Sequence, residues 1–297
     1  MKTIKQRISY AVMGLMAMGF TACTQNEDMT PTLKGQEINA TFSVGGMQTR
    51  VNTLGRGDNW ENDDLISVLQ IIDDTPTKTG EYKYVEVNGL YRWEPTVRLR
   101  WEREERCELI AWYPSDITNP YIYNLHTDQS DVTKLKAADL INGYWYDFPK
   151  DYVDIPMKHR MSLVTIVYHV GTADYPDMDI SEPQVYSKNT SVNFNIDQDQ
   201  GQFVMSTPSG NPAWVQACKH DDGVFSAIVI PGSYKTNEIF VKFKIGDKNF
   251  HAKMRTDTEF QEGHRYTYKL DVGKDIVKLT QISVDDLKGW TNEDDLK

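Results

Sequence analysis

Cysteine is scarce: Cys23, Cys107 and Cys218 are the three in a chain of 297 residues. That excludes a disulfide framework, and no CxxC spacing offers a redox or zinc motif. In an oxidising compartment Cys107 and Cys218 could pair, but two separate buried thiols acting as small apolar side chains is the preferred reading. Long apolar runs are missing as well. The one extended uncharged stretch, residues 10–22, is about a dozen residues long, short of the roughly 20 that a membrane-spanning helix needs. Runs of lysine or arginine are absent and the formal net charge is -11, so neither a nucleic-acid footprint nor a polybasic membrane patch is present. Catalytic signatures are missing too. His126, His159, His169, His220, His251 and His264 form no HExxH pair, TLGRGDNW has glycines but no GK[ST], and no GxSxG elbow occurs. Carboxylates are plentiful, yet no pair can be placed across a cleft as a glycosidase requires. No catalytic residue, metal ligand or cofactor is assigned, and the chain is not expected to be an enzyme.

The N-terminus carries a positive signal. Lys2, Lys5 and Arg7 precede the short apolar run, which closes on GFTAC and gives way to polar TQNEDMTPT. Basic, apolar, then small residues is the order of a secretory signal peptide, here residues 1–22. FTAC resembles a bacterial lipobox with phenylalanine where leucine is usual, which makes Cys23 the candidate lipidation site. An ordinary cleaved signal and a buried helix are the other readings. Residues 23–36 are polar and read as a flexible tether.

Beyond the tether the chain alternates. In INATFSV, Ile38, Ala40, Phe42 and Val44 share one face, the period of a half-buried strand. VRLRWE, SVNFNID and RYTYKLDV repeat the pattern, and KFKIGDKNFHAKM reads as a hairpin turning at Gly246-Asp247. MSLVTIVYHV and FSAIVIPGSY are apolar on both parities, as strands covered on both faces are. KLKAADLI, residues 134–141, is the one helical stretch. Many short strands with little helix predict an all-β fold of sandwiches, and VDIPMKHR suggests a division into domains 37–156 and 157–297.

Several residues invite function and have plainer explanations. Asp63 and Asp64 precede an apolar strand and can accept backbone N–H bonds. EREER reads as a solvated, ion-paired face, and the RGD at Arg56 as a turn. His169 is expected to be a hydrogen-bonded core histidine, with His159 and Arg160 decorating the domain junction. NPYIYN and GYWYDF put Tyr121 and Trp145 in loop-like stretches, where rings can stack on sugars or pack beneath loops.

Taken together, INATFSV, MQTRVN, WENDDLISV, AWYP, KAADLINGYW, PMKHRMSLVTIVY, VIPGSY, EGHRYTYKLDV and ISVDDLKGW follow one another in an order that resembles the fimbrillin family of Bacteroidales. These are the subunits of type V pili and their Mfa-like lipoprotein relatives. The resemblance implies two transthyretin-like, Greek-key sandwiches in tandem and a role in assembly and adhesion. It implies a palmitate-bearing precursor at the outer membrane, surface-exposed, and proteolysis after an arginine in the loop that follows the first strand. Arg50 is the candidate, with Arg56 second. Partners would be other pilin subunits by donor-strand exchange, and a host or bacterial surface ligand. The detachable strand would be 38–44, and a donor would come from the last strand, around 276–284. The alternative reading is a surface glycan-binding lipoprotein that does not polymerise.

Overall fold

The computed structural model describes residues 32–45, 60–171, 179–220, 223–273 and 277–286. Cys23, Arg50 and Arg56 lie outside them. The first half contains β1 (Ala40–Val44), β2 (Leu65–Ile72), β3 (Thr75–Val87), β4 (Leu90–Val97), β5 (Cys107–Tyr113), β6 (Ile122–Asn124), α1 (Val132–Ala137), β7 (Ile141–Asp147) and β8 (Val153–His159). Apart from β6 and α1, these elements form one seven-stranded sheet in the order β1-β8-β7-β5-β2-β3-β4. The second half adds β9 (Ser162–Val170), β10 (Ser181–Ser187), β11 (Ser191–Asp197), β12 (Gln202–Met205), β13 (Ala213–Gln216), β14 (Cys218–His220) and β15 (Val224–Val229). It continues with β16 (Gly232–Tyr234), β17 (Ile239–Ile245), β18 (Lys248–Lys253), β19 (Thr258–Phe260), β20 (His264–Val272) and β21 (Val277–Asp286). A five-stranded sheet, β14-β15-β9-β20-β21, and a four-stranded one, β13-β10-β17-β18, carry most of this half. The fold is all-β, as its alternation implies.

Two apolar clusters explain why some strands alternate and others do not. Ile66 and Val68 of β2, with Leu109 and Ala111 of β5, face a cluster built wholly from the first half. Leu69, Ile71, Ile110 and Trp112 on the same strands face the other way, into a larger cluster shared with the second half. These strands are covered on both faces, so their sequences run apolar without a break. β6 reinforces the connection by pairing with β11, Tyr123 opposite Val192. The Tyr123 hydroxyl donates to the Ala138 carbonyl at 2.6 Å.

The central and alternating strands fall where the periodicity puts them: β9 lies between β15 and β20, and Tyr266, Tyr268, Leu270 and Val272 are buried. The β17–β18 hairpin turns at Gly246, whose φ of 56° is a left-handed value that glycine adopts without strain. Other expectations need correction. The helix spans Val132–Ala137, because Asp131 caps its N-terminus by accepting from the Lys134 amide and Ile141 already belongs to β7. Leu99 and Trp101 are buried as VRLRWE suggests, but β4 ends at Val97, which is exposed. GYWYDF is not a loop: most of it is β7, and Gly143 lets the strand approach β8 so closely that a Cβ there would lie 2.3 Å from the Pro156 carbonyl oxygen. His169 is exposed, since it sits near the end of β9, where cover on that face runs out. Pro156 and Met157, on either side of the expected domain division, both lie within β8.

Candidate functional site

The first strand and the groove it fills form the candidate site. β1 is an edge strand, parallel to β8 with Ala40 opposite Val153 and Val44 opposite Met157. Its alternation becomes burial: Ile38 is 1%, Ala40 5%, Phe42 4% and Val44 7% exposed. Phe42 is the anchor. Its ring meets Tyr82 edge-on at 5.4 Å and Trp93 at 4.8 Å, geometries that add to the area it buries.

The backbone of β1 is bonded on both sides. The odd residues face β8, as the Val153 amide donating to the Asn39 carbonyl and the Gly45 amide donating to the Met157 carbonyl indicate. On the other side the Ile38 amide donates to the Leu99 carbonyl at 3.0 Å. The Tyr82 hydroxyl donates to the Ile38 carbonyl at 2.7 Å, and the Trp60 indole N–H donates to the Phe42 carbonyl at 3.0 Å. An edge strand otherwise offers unpaired backbone groups to other chains, and here side-chain donors occupy part of that edge. The outward hydroxyls of Thr41 and Ser43 donate to the Asp154 carboxylate.

What precedes β1 is docked as well. The expected tether ends early, since the Gly35 amide donates to the Trp101 carbonyl at 2.7 Å and the Trp101 amide to the Gln36 carbonyl at 3.0 Å. Glu37 pairs with Arg98 at 2.5 Å and Arg100 at 3.2 Å; both arginines are exposed, so these pairs contribute little. After β1 the chain turns at Gly45, with φ of 82°. It re-enters the described structure at Trp60, packed in the same cluster as Phe42. Arg50 and Arg56 fall between these points, so a cut at either would leave β1 held by non-covalent contacts alone.

Asp64 secures the point of re-entry. Its carboxylate accepts from the Glu61 amide at 2.7 Å, the capping role expected for this acidic pair. Burial, aided by the nearby Glu61 charge, pushes its carboxyl up to about 6. The folded value lies above the unfolded one, so the fold favours the protonated acid and loses stability as pH rises from about 4 to about 6. Asp64→Asn keeps an acceptor for the Glu61 amide and carries no charge. Urea unfolding of this variant is therefore expected to lack that decline, leaving it more stable at pH 7 by at most about 3 kcal/mol. An unchanged pH profile would show that Asp64 is not the group responsible.

Residues 49–286 match the Fimbrillin-like family, over more than half of the chain. The chain belongs to the fimbrillin-like family. Solved structures share the fold. A candidate cell adhesion protein of Bacteroides uniformis is 16% identical with a TM-score of 0.59, covering 86% of this chain and 99% of its own. Another from Bacteroides ovatus is 19% identical with a TM-score of 0.58, covering 89% and 100%. A third, from Bacteroides fragilis, is 12% identical with a TM-score of 0.52, covering 86% and 99%. No curated protein sequence matches the chain.

In this fimbrillin-like chain the last described strand is already in use. β21 lies at the edge of the five-stranded sheet, antiparallel to β20 from His264 opposite Asp286 to Val272 opposite Val277. Leu279 is 2% exposed, while beyond a bulge near Gln281 Ile282 and Val284 are 57% and 44% exposed. Cys107 and Cys218 are separate buried thiols, and burial pushes each up to about 11.

The aromatic candidates are only partly available to a ligand. Trp145 packs on Trp101 at 5.7 Å beneath Lys150, and Tyr121 packs on Phe203 at 5.6 Å. Among the described residues the exposed rings are Tyr146, Phe148 and Tyr152, with the Arg106 guanidinium over the first two. Among the described residues no group of three or more His, Cys, Asp or Glu could hold a metal ion. EREER is ion-paired as expected, Glu102 with Lys78 and Arg103 with Asp73.

His159 and Arg160, expected at the domain junction, are core residues, each 4% exposed. His159 Nδ1 lies 2.7 Å from an Asp139 carboxylate oxygen, both side chains buried. The signal was present in VDIPMKH: Val153, Ile155 and Met157 share the buried parity of β8, and His159 continues it.

Proposed function

We propose that this chain is a lipid-anchored fimbrial or adhesion subunit of the cell surface, assembling by exchange of its first strand after proteolysis near Arg50. The observation that carries the proposal is β1 itself. It is an edge strand with Ala40, Phe42 and Val44 buried on one face, in line with Ile38 just before it, and a single segment, residues 46–59, links it onward to Trp60. Removing such a strand uncovers an apolar trough beside the unpaired edge of β8, the template that strand addition uses. Main-chain bonds then supply affinity, and alternate side chains set register. The signal peptide 1–22 and Cys23 bring the precursor to the outer membrane, with the acyl chain as tether and two transthyretin-like sandwiches, divided near the end of β8, as the assembling body.

The native N-terminus tests the proposal. Mass spectrometry of the protein from cells is expected to find an acylated form beginning at Cys23 and, in assembled material, a form beginning at Val51. Identical unacylated masses for wild type and Cys23→Ala would remove the anchor. Assembled subunits that keep residues 38–44 covalently attached would remove strand exchange.

A further inference from the structure

Resting on that reading of β1 as the exchanged strand, we infer that the vacated groove takes a strand from a different polypeptide, patterned aliphatic-x-small-x-aromatic-x-β-branched, and not strand β21 of another copy of this chain. The pattern is that of the four seats. Ile38 is fully enclosed, and Ala40 is buried so that a larger side chain must displace its neighbours. Phe42 sits against Tyr82 and Trp93 in two edge-on contacts, and Val44 closes the row. On the other face, the Asp154 carboxylate accepts from Thr41 and Ser43, which favours hydroxyl donors there and disfavours acids.

The segment from residue 277 fails this pattern in every register. From residue 277 the sequence reads VKLTQISVDDLKGW, and its alternating apolar residues come in pairs only, Val277 with Leu279 and Ile282 with Val284. Seating the first pair brings Gln281 or Asp275 onto a buried position. Seating the second brings Asp286 or Lys278 there. Reversing the strand direction leaves these sets unchanged, because the same four alternate residues face the groove. Burying an unpaired amide or charge costs more than the seat's remaining contacts return. Position adds to pattern, since β21 is paired along its length with β20 and encloses Leu279. Donating it would open the donor's own sheet.

The test uses the full chain with a site-specific protease sequence in place of residues 48–52, cut and separated from its N-terminal fragment under mild denaturant. Labelled peptides covering 36–45, the same peptide with the Phe42→Ala change, and 277–297 are titrated by fluorescence anisotropy. The native peptide is expected to bind, the Phe42→Ala peptide to bind at least about a hundredfold more weakly, and 277–297 to be weaker still, while the cut chain alone stays monomeric. Binding of 277–297 within tenfold of the native peptide, or polymerisation of the cut chain alone, overturns the inference and leaves strand exchange standing. A refolded, empty chain that takes up neither peptide overturns both. An uncut chimera gives a second measurement that does not depend on refolding. KLTQISV in place of residues 38–44 is expected to lower the thermal midpoint by about 10 °C, and an unchanged midpoint overturns the inference.

Discussion

Phe42→Ala is expected to lower the unfolding free energy by about 3–5 kcal/mol, read as a fall in the urea midpoint at unchanged slope. The ring is 4% exposed and fills a seat against Tyr82 and Trp93. Truncation therefore loses both its transfer energy and the edge-on contacts, and leaves a cavity that the sheet edge closes incompletely. The backbone bond from the Trp60 indole to the Phe42 carbonyl does not involve the side chain, so the substitution leaves it available. Thr41→Ala is the matched control. That side chain is exposed and loses only hydroxyl bonds to Asp154 and the Val153 carbonyl, so its effect is expected to stay within about 1 kcal/mol. The ratio of the two effects measures how strictly register is set by one buried face, because a slip by one residue would exchange their roles. Equal costs would remove the seated strand from the account, and with it the groove.

Much of this was legible in the sequence, for a definite reason. INATFSV, SVNFNID and RYTYKLDV alternate because one face is wet, and β9 and β15 do not alternate because neither face is. Partnership is what periodicity cannot supply. The bond between β1 and β8 joins residues 112 positions apart, and nothing in INATFSV says that it lies parallel to VDIPMKH. The aromatic-rich GYWYDF read as loop-like or junctional, yet most of it is strand and its glycine serves close approach to β8. VDIPMKHR placed His159 and Arg160 at a junction but could not show that they are buried there, because their partners Asp139, Asn142 and Glu262 come from other segments. The candidate site divides in the same way. Its buried face followed from alternation, while the hydrogen-bonding donors of its outer edge, Tyr82 and Trp60, came from strand topology.

Arg160 carries the second large effect, at the link between β8 and β9. Its guanidinium is held by three partners from separate segments: Nε donates to the Asn142 side-chain oxygen at 2.5 Å and Nη2 to the Phe203 carbonyl at 2.6 Å. Nη1 lies 3.2 Å from a Glu262 carboxylate oxygen. Burial lowers the guanidinium from its ordinary value, with Glu262 opposing the shift, and it stays charged at any working pH. Arg160→Met preserves the stem's packing but leaves the Phe203 carbonyl and the Asn142 oxygen facing an apolar group. The expected loss is about 3–5 kcal/mol by urea unfolding, most of it from the stranded partners and not from the charge pair. Two further variants separate those causes. Glu262→Gln removes the charge from a side chain that is 41% exposed and is expected to cost about 1 kcal/mol or less. Arg160→Lys keeps the charge, but its ammonium cannot reproduce the planar fork that reaches all three partners, so it should recover less than half of the loss. A lysine variant as stable as wild type would mean that charge alone matters here, and that the geometry joining β7, β12 and the β19–β20 turn does not.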